Sequence, residues 1–424
     1  MNRKLTLLTL WILSILPNPP TQAGALDPAS PLGSKLTFSA ALRLAEQNTP
    51  ILQARSMAVK AADFALQPAA ELPDPQLVLG LNNVPATGPD RGHLGQDFMT
   101  MQRIGIMQNV PNRSKRKARV ALAKARVVEA EAELTIARAS VLHNAAEAWL
   151  DCYFLEHRLP LFDELEKDLS LLTKVSLAQL AANTGNALAA LDPAKQSAEL
   201  ADLKDDTQQN LAAARARLHS LIGDDTPMLL GGTAPNLAID PSQLHEHLHR
   251  HPTLALYDPL TGLAEARLQT AEADRQADWS IGVDYQHREA PFDDMVSLEL
   301  RFDLPVFPAT RQNPRIAAER FRLSALQHER EARLREHAAV LASDLAIHRS
   351  LVRQLNRITS TWLPLAEQSL SLAMAGYRAG QQELTTTLNA RRYLINVRLR
   401  ELDLQHQRAV LAAKLIYAYG ALQQ

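Results

Sequence analysis

The chain has a single cysteine among its 424 residues, Cys152, so no disulfide can form within it. Cys152 lies inside a helical pattern and reads as a small buried hydrophobe. Glycine is scarce at 16 and aromatic residues make up 5%. Catalytic α/β folds need glycine in tight βα turns, so that class is disfavoured. Neither sign of charge dominates: 45 Lys+Arg stand against 46 Asp+Glu, a formal net of -1. That balance gives no reason to expect nucleic acid as a partner. No nucleophile elbow, P-loop, dinucleotide fingerprint or metalloprotease motif occurs, so an enzyme is not indicated. Long apolar runs are missing too. After the N-terminus no window of about 18 residues is apolar enough for a spanning helix. The longest uncharged stretch, Val175 to Leu191, carries Gln179, Asn183, Thr184 and Asn186.

What is present begins with an export signal over residues 1–25. Arg3 and Lys4 form a basic start, Leu5 to Leu16 an apolar stretch too short to span a bilayer, and Ala23-Gly24-Ala25 a small-x-small cleavage site. The mature chain is expected to start at Leu26, with no cysteine there to carry a lipid. An exported chain without spanning helices can enter a membrane only through strands, which points to the outer membrane of a Gram-negative bacterium.

The pattern then runs twice, about 195 residues apart, and repetition governs the fold. Asn48-Thr49-Pro50 opens the first copy and Arg250-His251-Pro252 the second. Each copy carries a helix, two alternating strands, and a long charged helix that turns back on itself. The turns fall at Asn183-Thr184-Gly185 and Arg378-Ala379-Gly380. The expected division is residues 26–223, a link over 224–250, and residues 251–424.

Short helices are predicted over Thr37 to Gln47 and Ile51 to Leu72, the latter stopped by Pro73-Asp74-Pro75. Strands are predicted over Gln76 to Val84, Asp97 to Val110, 279–287 and 294–303. In the third, Trp279, Ile281, Val283 and Tyr285 alternate with polar residues; in the fourth, Val296, Leu298, Leu300 and Phe302 do. Such alternation fits a transmembrane strand or a half-buried strand of a soluble sheet; the export signal and the paired design favour the membrane. Ser114 to Ala182 reads as one helix of roughly 100 Å, with Leu134, Val141, Ala148, Leu155, Phe162 and Leu169 in a heptad series and Leu165 and Leu172 beside it. A second long helix is predicted from Pro314 to Ala379. Pro160 and Pro364 are expected to kink them. Return helices follow over Pro193 to Ile222 and Leu388 to Tyr419. The fold class is mainly α with a small β part. Four strands cannot close a barrel, so the chain supplies a third or a half of a shared one.

Ile104-Gly105-Ile106-Met107-Gln108-Asn109-Val110-Pro111 with Ser114-Lys115-Arg116-Lys117-Ala118-Arg119, and Gly376-Tyr377-Arg378-Ala379-Gly380 with Leu388-Asn389-Ala390-Arg391-Arg392, follow in an order and spacing that resembles the TolC-type outer-membrane efflux channels. The resemblance covers the whole mature chain. It implies a homotrimer whose strands close one β-barrel in outer-membrane lipid and whose helical hairpins form a periplasmic α-barrel. It further implies a periplasmic adaptor and an inner-membrane pump of the RND type as partners, and no cofactor. The alternatives are the same fold exporting organic drugs or secreted proteins, and a periplasmic coiled-coil adaptor or scaffold without a pore. An adaptor needs no lipid-facing strands.

Family members close the periplasmic entrance at the helical turns, several with aspartates. The resemblance places Thr386 and Asn389 where those acids occur, so this chain departs from an acidic ring. Asp192 and Glu383 are the nearest acids, and Gly185 and Gly380 are the turn residues. Thr386, Asn389, Asp192 and Glu383 read equally as ordinary surface polars. Asn183, Thr184, Leu188, Tyr377, Arg378 and Gln382 are candidates for adaptor docking. His245, His247, His249 and His251 would form i,i+4 pairs on a helix and are candidate metal ligands, against the simpler reading of a solvated link. Met99, Met101 and Met107 share one strand face and read as wall residues or soft-metal contacts. Together these features lean toward the heavy-metal branch of the family. The basic run Ser114 to Arg119 suits a lipid headgroup boundary.

Overall fold

Residues 35–182, 191–223 and 230–419 are described by the computed structural model. The signal over residues 1–25 lies outside them, as do Asn183, Thr184, Gly185 and Leu188. Two short helices come first, α1 (Phe38–Asn48) and α2 (Pro50–Ala70). Thr37 caps α1 through its hydroxyl, and Pro50 opens α2 where a missing N–H costs nothing. Strands β1 (Gln76–Asn82) and β2 (Met101–Val110) follow, then α3 (Arg113–Ala181) and its return α4 (Asp192–Ile222). A link holds α5 (Pro241–Glu246), a 3-10 turn (Leu248–Arg250) and α6 (Pro252–Ala255). The second half contains α7 (Tyr257–Ala273), β3 (Asp278–His287), β4 (Met295–Asp303), α8 (Gln312–Arg357), α9 (Leu363–Arg378) and α10 (Leu384–Tyr419).

Helix α3 is 69 residues long, roughly 100 Å at about 1.5 Å per residue. Its heptad residues do what the spacing requires. Val141, Ala148, Leu155, Phe162 and Leu169 are buried, and Leu134 packs against them half-buried. Around its upper part gather Ala45, Leu52, Trp149, Leu211, Leu218 and Ala413, from α1, α2, α3, α4 and α10. Lower down, Phe162, Leu165, Leu169 and Leu172 meet Leu200 of α4 and Leu388 and Ile395 of α10. Trp149 is fully buried and donates its indole N–H to the Leu36 carbonyl at 3.0 Å. The core is therefore the seam between two helical hairpins.

The two prolines behave differently. Pro160 sits inside an α3 whose helical pattern is unbroken. The second long helix is not continuous: a π turn over Ile358–Trp362 separates α8 from α9, and Pro364 follows in the first turn of α9. Proline donates no backbone N–H, and a π turn absorbs that break without ending the rod. The second strand begins at Met101 rather than Asp97. Asp97 turns the chain back on itself, accepting the Met99 N–H on its carboxylate and the Thr100 N–H on its carbonyl.

The four strands make one antiparallel sheet in the order β1-β2-β3-β4. Register places Leu79, Ile104, Tyr285 and Val296 in one cross-strand row and Leu77, Ile106, Val283 and Leu298 in the next.

Candidate functional site

Alternation along each strand sends one set of side chains to each face. On the outer face the apolar rows stand open: Leu79 is 67% exposed, Val296 74% and Leu298 67%. Among the described residues this sheet face has no covering layer, and it is far more apolar than a water-facing sheet tolerates. The opposite face carries Arg103, Gly105, Met107, Ser280, Gly282, Asp284, Glu299 and Arg301, and most of its middle is buried.

Charge in the middle of that face is paired. The Arg103 guanidinium lies 2.5 Å from the Asp284 carboxylate on β3 and 3.1 Å from Glu299 on β4. Arg301 donates Nε–H to Glu299 at 2.6 Å, and its Nη1 lies 3.8 Å from the Met107 sulfur. Gly105 faces Asp284 across the ladder. A Cβ at Gly105 would fall 1.9 Å from Asp284 Oδ1 and 2.9 Å from the Val283 carbonyl, so only glycine leaves room for the carboxylate. The sequence pattern places Arg103, Gly105 and Met107 on one face. Asp284, Glu299 and Arg301 look there like mere polar alternation, although carboxylates and arginines at period two are the available signal.

Where strand becomes helix, Asn112 caps α3 by accepting the Lys115 N–H at 2.8 Å. Lys115 then reaches Asp278 at 2.9 Å and Asp274 at 3.0 Å. Part of the basic run is thus spent on joining α3 to β3.

At the far end of the rods, Gly380 adopts φ +68. The Gln381 N–H donates to the Gly376 carbonyl at 2.8 Å, the six-to-one bond of a Schellman cap. Gln382 folds onto Gly376, where a Cβ would come within 2.9 Å of its side chain. Thr387 donates its hydroxyl to the Ala373 carbonyl and ties α10 to α9. Asp192 opens α4, where an acid suits the helix N-terminus, and is exposed. Glu383, Thr386, Asn389, Tyr377, Arg378 and Gln382 are exposed as well. Behind them Arg391 Nε stands 3.1 Å from the buried Asp168 of α3, and Arg392 pairs with Gln196 of α4. Burial pushes the Asp168 carboxyl up, and Arg391 pulls it back.

The four histidines of the link do not share a helix. Helix α5 stops at Glu246, His247 caps it, and a 3-10 turn starts at Leu248, so the i,i+4 spacing no longer stacks the rings. Among the described residues no group of three or more His, Cys, Asp or Glu is arranged to hold a metal. His251 turns instead to partners from far along the chain. Its ring lies 4.0 Å from that of His337 and 4.9 Å from Tyr419, centroid to centroid. The Thr253 hydroxyl sits between His251 Nδ1 at 2.7 Å and His337 Nε2 at 2.9 Å. Because His251 Nδ1 also takes the Thr253 N–H, it is the acceptor, and Thr253 receives from His337.

No family model and no curated protein matches the sequence. Solved structures do match. Over 91% of this chain and 92% of theirs, it superposes on CusC, described as forming a transmembrane channel, with a TM-score of 0.73 and 17% identity. The outer membrane protein VceC from Vibrio cholerae matches 91% of this chain over 96% of its own, with a TM-score of 0.71 and 17% identity. The CmeC outer membrane channel from Campylobacter jejuni matches 96% of this chain over 94% of its own, with a TM-score of 0.73 and 12% identity. The chain shares the fold of these membrane proteins along nearly its full length.

Proposed function

We propose that this chain is an outer-membrane channel, the passive exit duct of a tripartite efflux system. One observation carries the reading: among the described residues, a four-stranded sheet has an open apolar outer face, a charged inner face, and two unpaired edges on β1 and β4. Lipid accepts such a face but no open edge, because unpaired backbone groups there find no water. Copies of the chain supply the missing neighbours, and three of them make a homotrimer. The helical hairpins extend the duct through the periplasm. Gly185, Gly380, Asp192, Glu383, Thr386 and Asn389 line its entrance. Tyr377, Arg378 and Gln382, with Asn183, Thr184 and Leu188, receive a periplasmic adaptor that links an inner-membrane pump.

The cargo we assign is heavy-metal cations, supported by Met101 and Met107 on one strand face. Outer-membrane fractionation followed by conductance in planar bilayers tests the duct; a soluble, non-conducting chain overturns it. Deleting the gene and scoring sensitivity across metals, drugs and secreted proteins tests the cargo. Unchanged metal tolerance with lost drug tolerance transfers the assignment to organic compounds.

A further inference from the structure

We infer that Arg103, Asp284, Glu299 and Arg301 together hold the middle of the barrel wall neutral, so that this stretch neither sorts ions by charge nor retains cations. This rests on the duct reading and concerns four charged side chains to which that reading gives no individual role. The middle of the inner face holds three groups that chemistry would make cation ligands: the carboxylates of Asp284 and Glu299 and the thioether of Met107. Each is faced by a guanidinium. Arg103 crosses from β2 to both carboxylates, at 2.5 and 3.1 Å. Arg301 holds Glu299 at 2.6 Å and approaches the Met107 sulfur at 3.8 Å.

The arrangement is built rather than incidental. The Asp284 side chain is 3% exposed. A carboxylate so enclosed needs a partner charge or binds a cation. Gly105 gives up its side chain to let Asp284 lie flat against the sheet beneath Arg103. Arg103 and Asp284 come from strands far apart in sequence, and the ladder brings them into diagonal register. Two positive and two negative groups cancel within one chain, and a closed barrel repeats that patch once per copy. Arginine suits this masking better than lysine, because its planar fork serves two carboxylates at once. Rings of unpaired carboxylates or guanidinium groups are what give pores charge preference; in this cluster neither sign is left over.

The test uses the full chain reconstituted in planar bilayers under a potassium chloride gradient. The double variant Arg103→Gln/Arg301→Gln is expected to shift the reversal potential toward potassium, and Asp284→Asn toward chloride. Glu299→Gln, at a more exposed position, serves the chloride arm should Asp284→Asn fail to assemble. Cadmium chloride in the bath is expected to block the double variant and leave the wild type conducting. A purely structural role would move all variants the same way or not at all, and that result overturns the inference while the duct reading stands. A wild-type chain that forms no conductance removes both.

Discussion

The Asp278 carboxylate accepts two hydrogen bonds from Asn112, one from its backbone N–H at 2.8 Å and one from its side-chain amide at 2.9 Å. The same amide reaches the carbonyls of Ala273 and Gln276, so one buried residue welds the end of α7, the start of β3 and the first turn of α3. Strand and rod are thereby fixed at one angle. Asn112→Ala removes a helix cap and orphans several buried acceptors, which should cost about 2–4 kcal/mol. Asn112→Asp should be worse, because it sets a second carboxylate against Asp278. Thermal unfolding of the purified assembly measures both; equal midpoints for Asn112→Asp and wild type would contradict the junction described.

Gly105 and Gly282 face the same side of the sheet, yet they should differ sharply. Alanine at Gly105 drives its Cβ into Asp284 and the Val283 carbonyl, whereas at Gly282 the nearest atom stands 3.7 Å away. Gly105→Ala is expected to lower the yield of assembled protein, and Gly282→Ala to leave it near wild type. Immunoblots of heated and unheated membranes read the difference.

Burial pushes the His251 imidazole down to about 4, with His337 beside it adding to the effect. Burial lowers His143, His337 and His348 as well. In the unfolded chain these rings titrate near about 6.5. As pH falls through that value the unfolded chain takes up protons that the folded chain refuses, so stability declines from about pH 6.5 toward pH 4 and is flat above. His251→Asn keeps an acceptor for the Thr253 N–H and should flatten part of that slope. A midpoint that does not change between about pH 7 and pH 5 would count against the buried neutral rings.

At the tip, a Cβ added to Gly380 would meet no atom within 4 Å, so space is not the issue there. Its φ of +68 is. Gly380→Ala should weaken the turn by about 1 kcal/mol and Gly380→Asn by less. Faster amide exchange at Gln381, whose N–H holds the Gly376 carbonyl, would report the loosening.

The rods are the most legible part of the chain. A seven-residue series such as Val141, Ala148, Leu155, Phe162 and Leu169 states its own packing, because helical geometry leaves those side chains nowhere else to go. Strands with strict alternation, such as Val296 to Phe302, show their bounds to within a residue or two. What stays hidden depends on distant partners. Nothing near His251 announces His337, and nothing near Arg103 announces Glu299. The link misleads for a local reason: Glu246 and His247 have no feature that stops a helix, and the 3-10 turn after them arises where the chain bends into His251-Pro252. The π turn before Pro364 is equally silent, since a proline signals disruption and not the form it takes.

The order of strands in the sheet also sets a timetable. The hairpins β1-β2 and β3-β4 are local, but the middle ladder pairs Gln102 with His287 and Val110 with Trp279. All of α3 and α4 lies between those partners. Closing so wide a loop is slow, and an edge strand left waiting is open to the wrong neighbour. During synthesis, β2 must therefore wait with one edge unpaired until the second half of the chain arrives. The α3–α4 hairpin lies wholly between β2 and β3, so its packing decides how near β3 comes to β2.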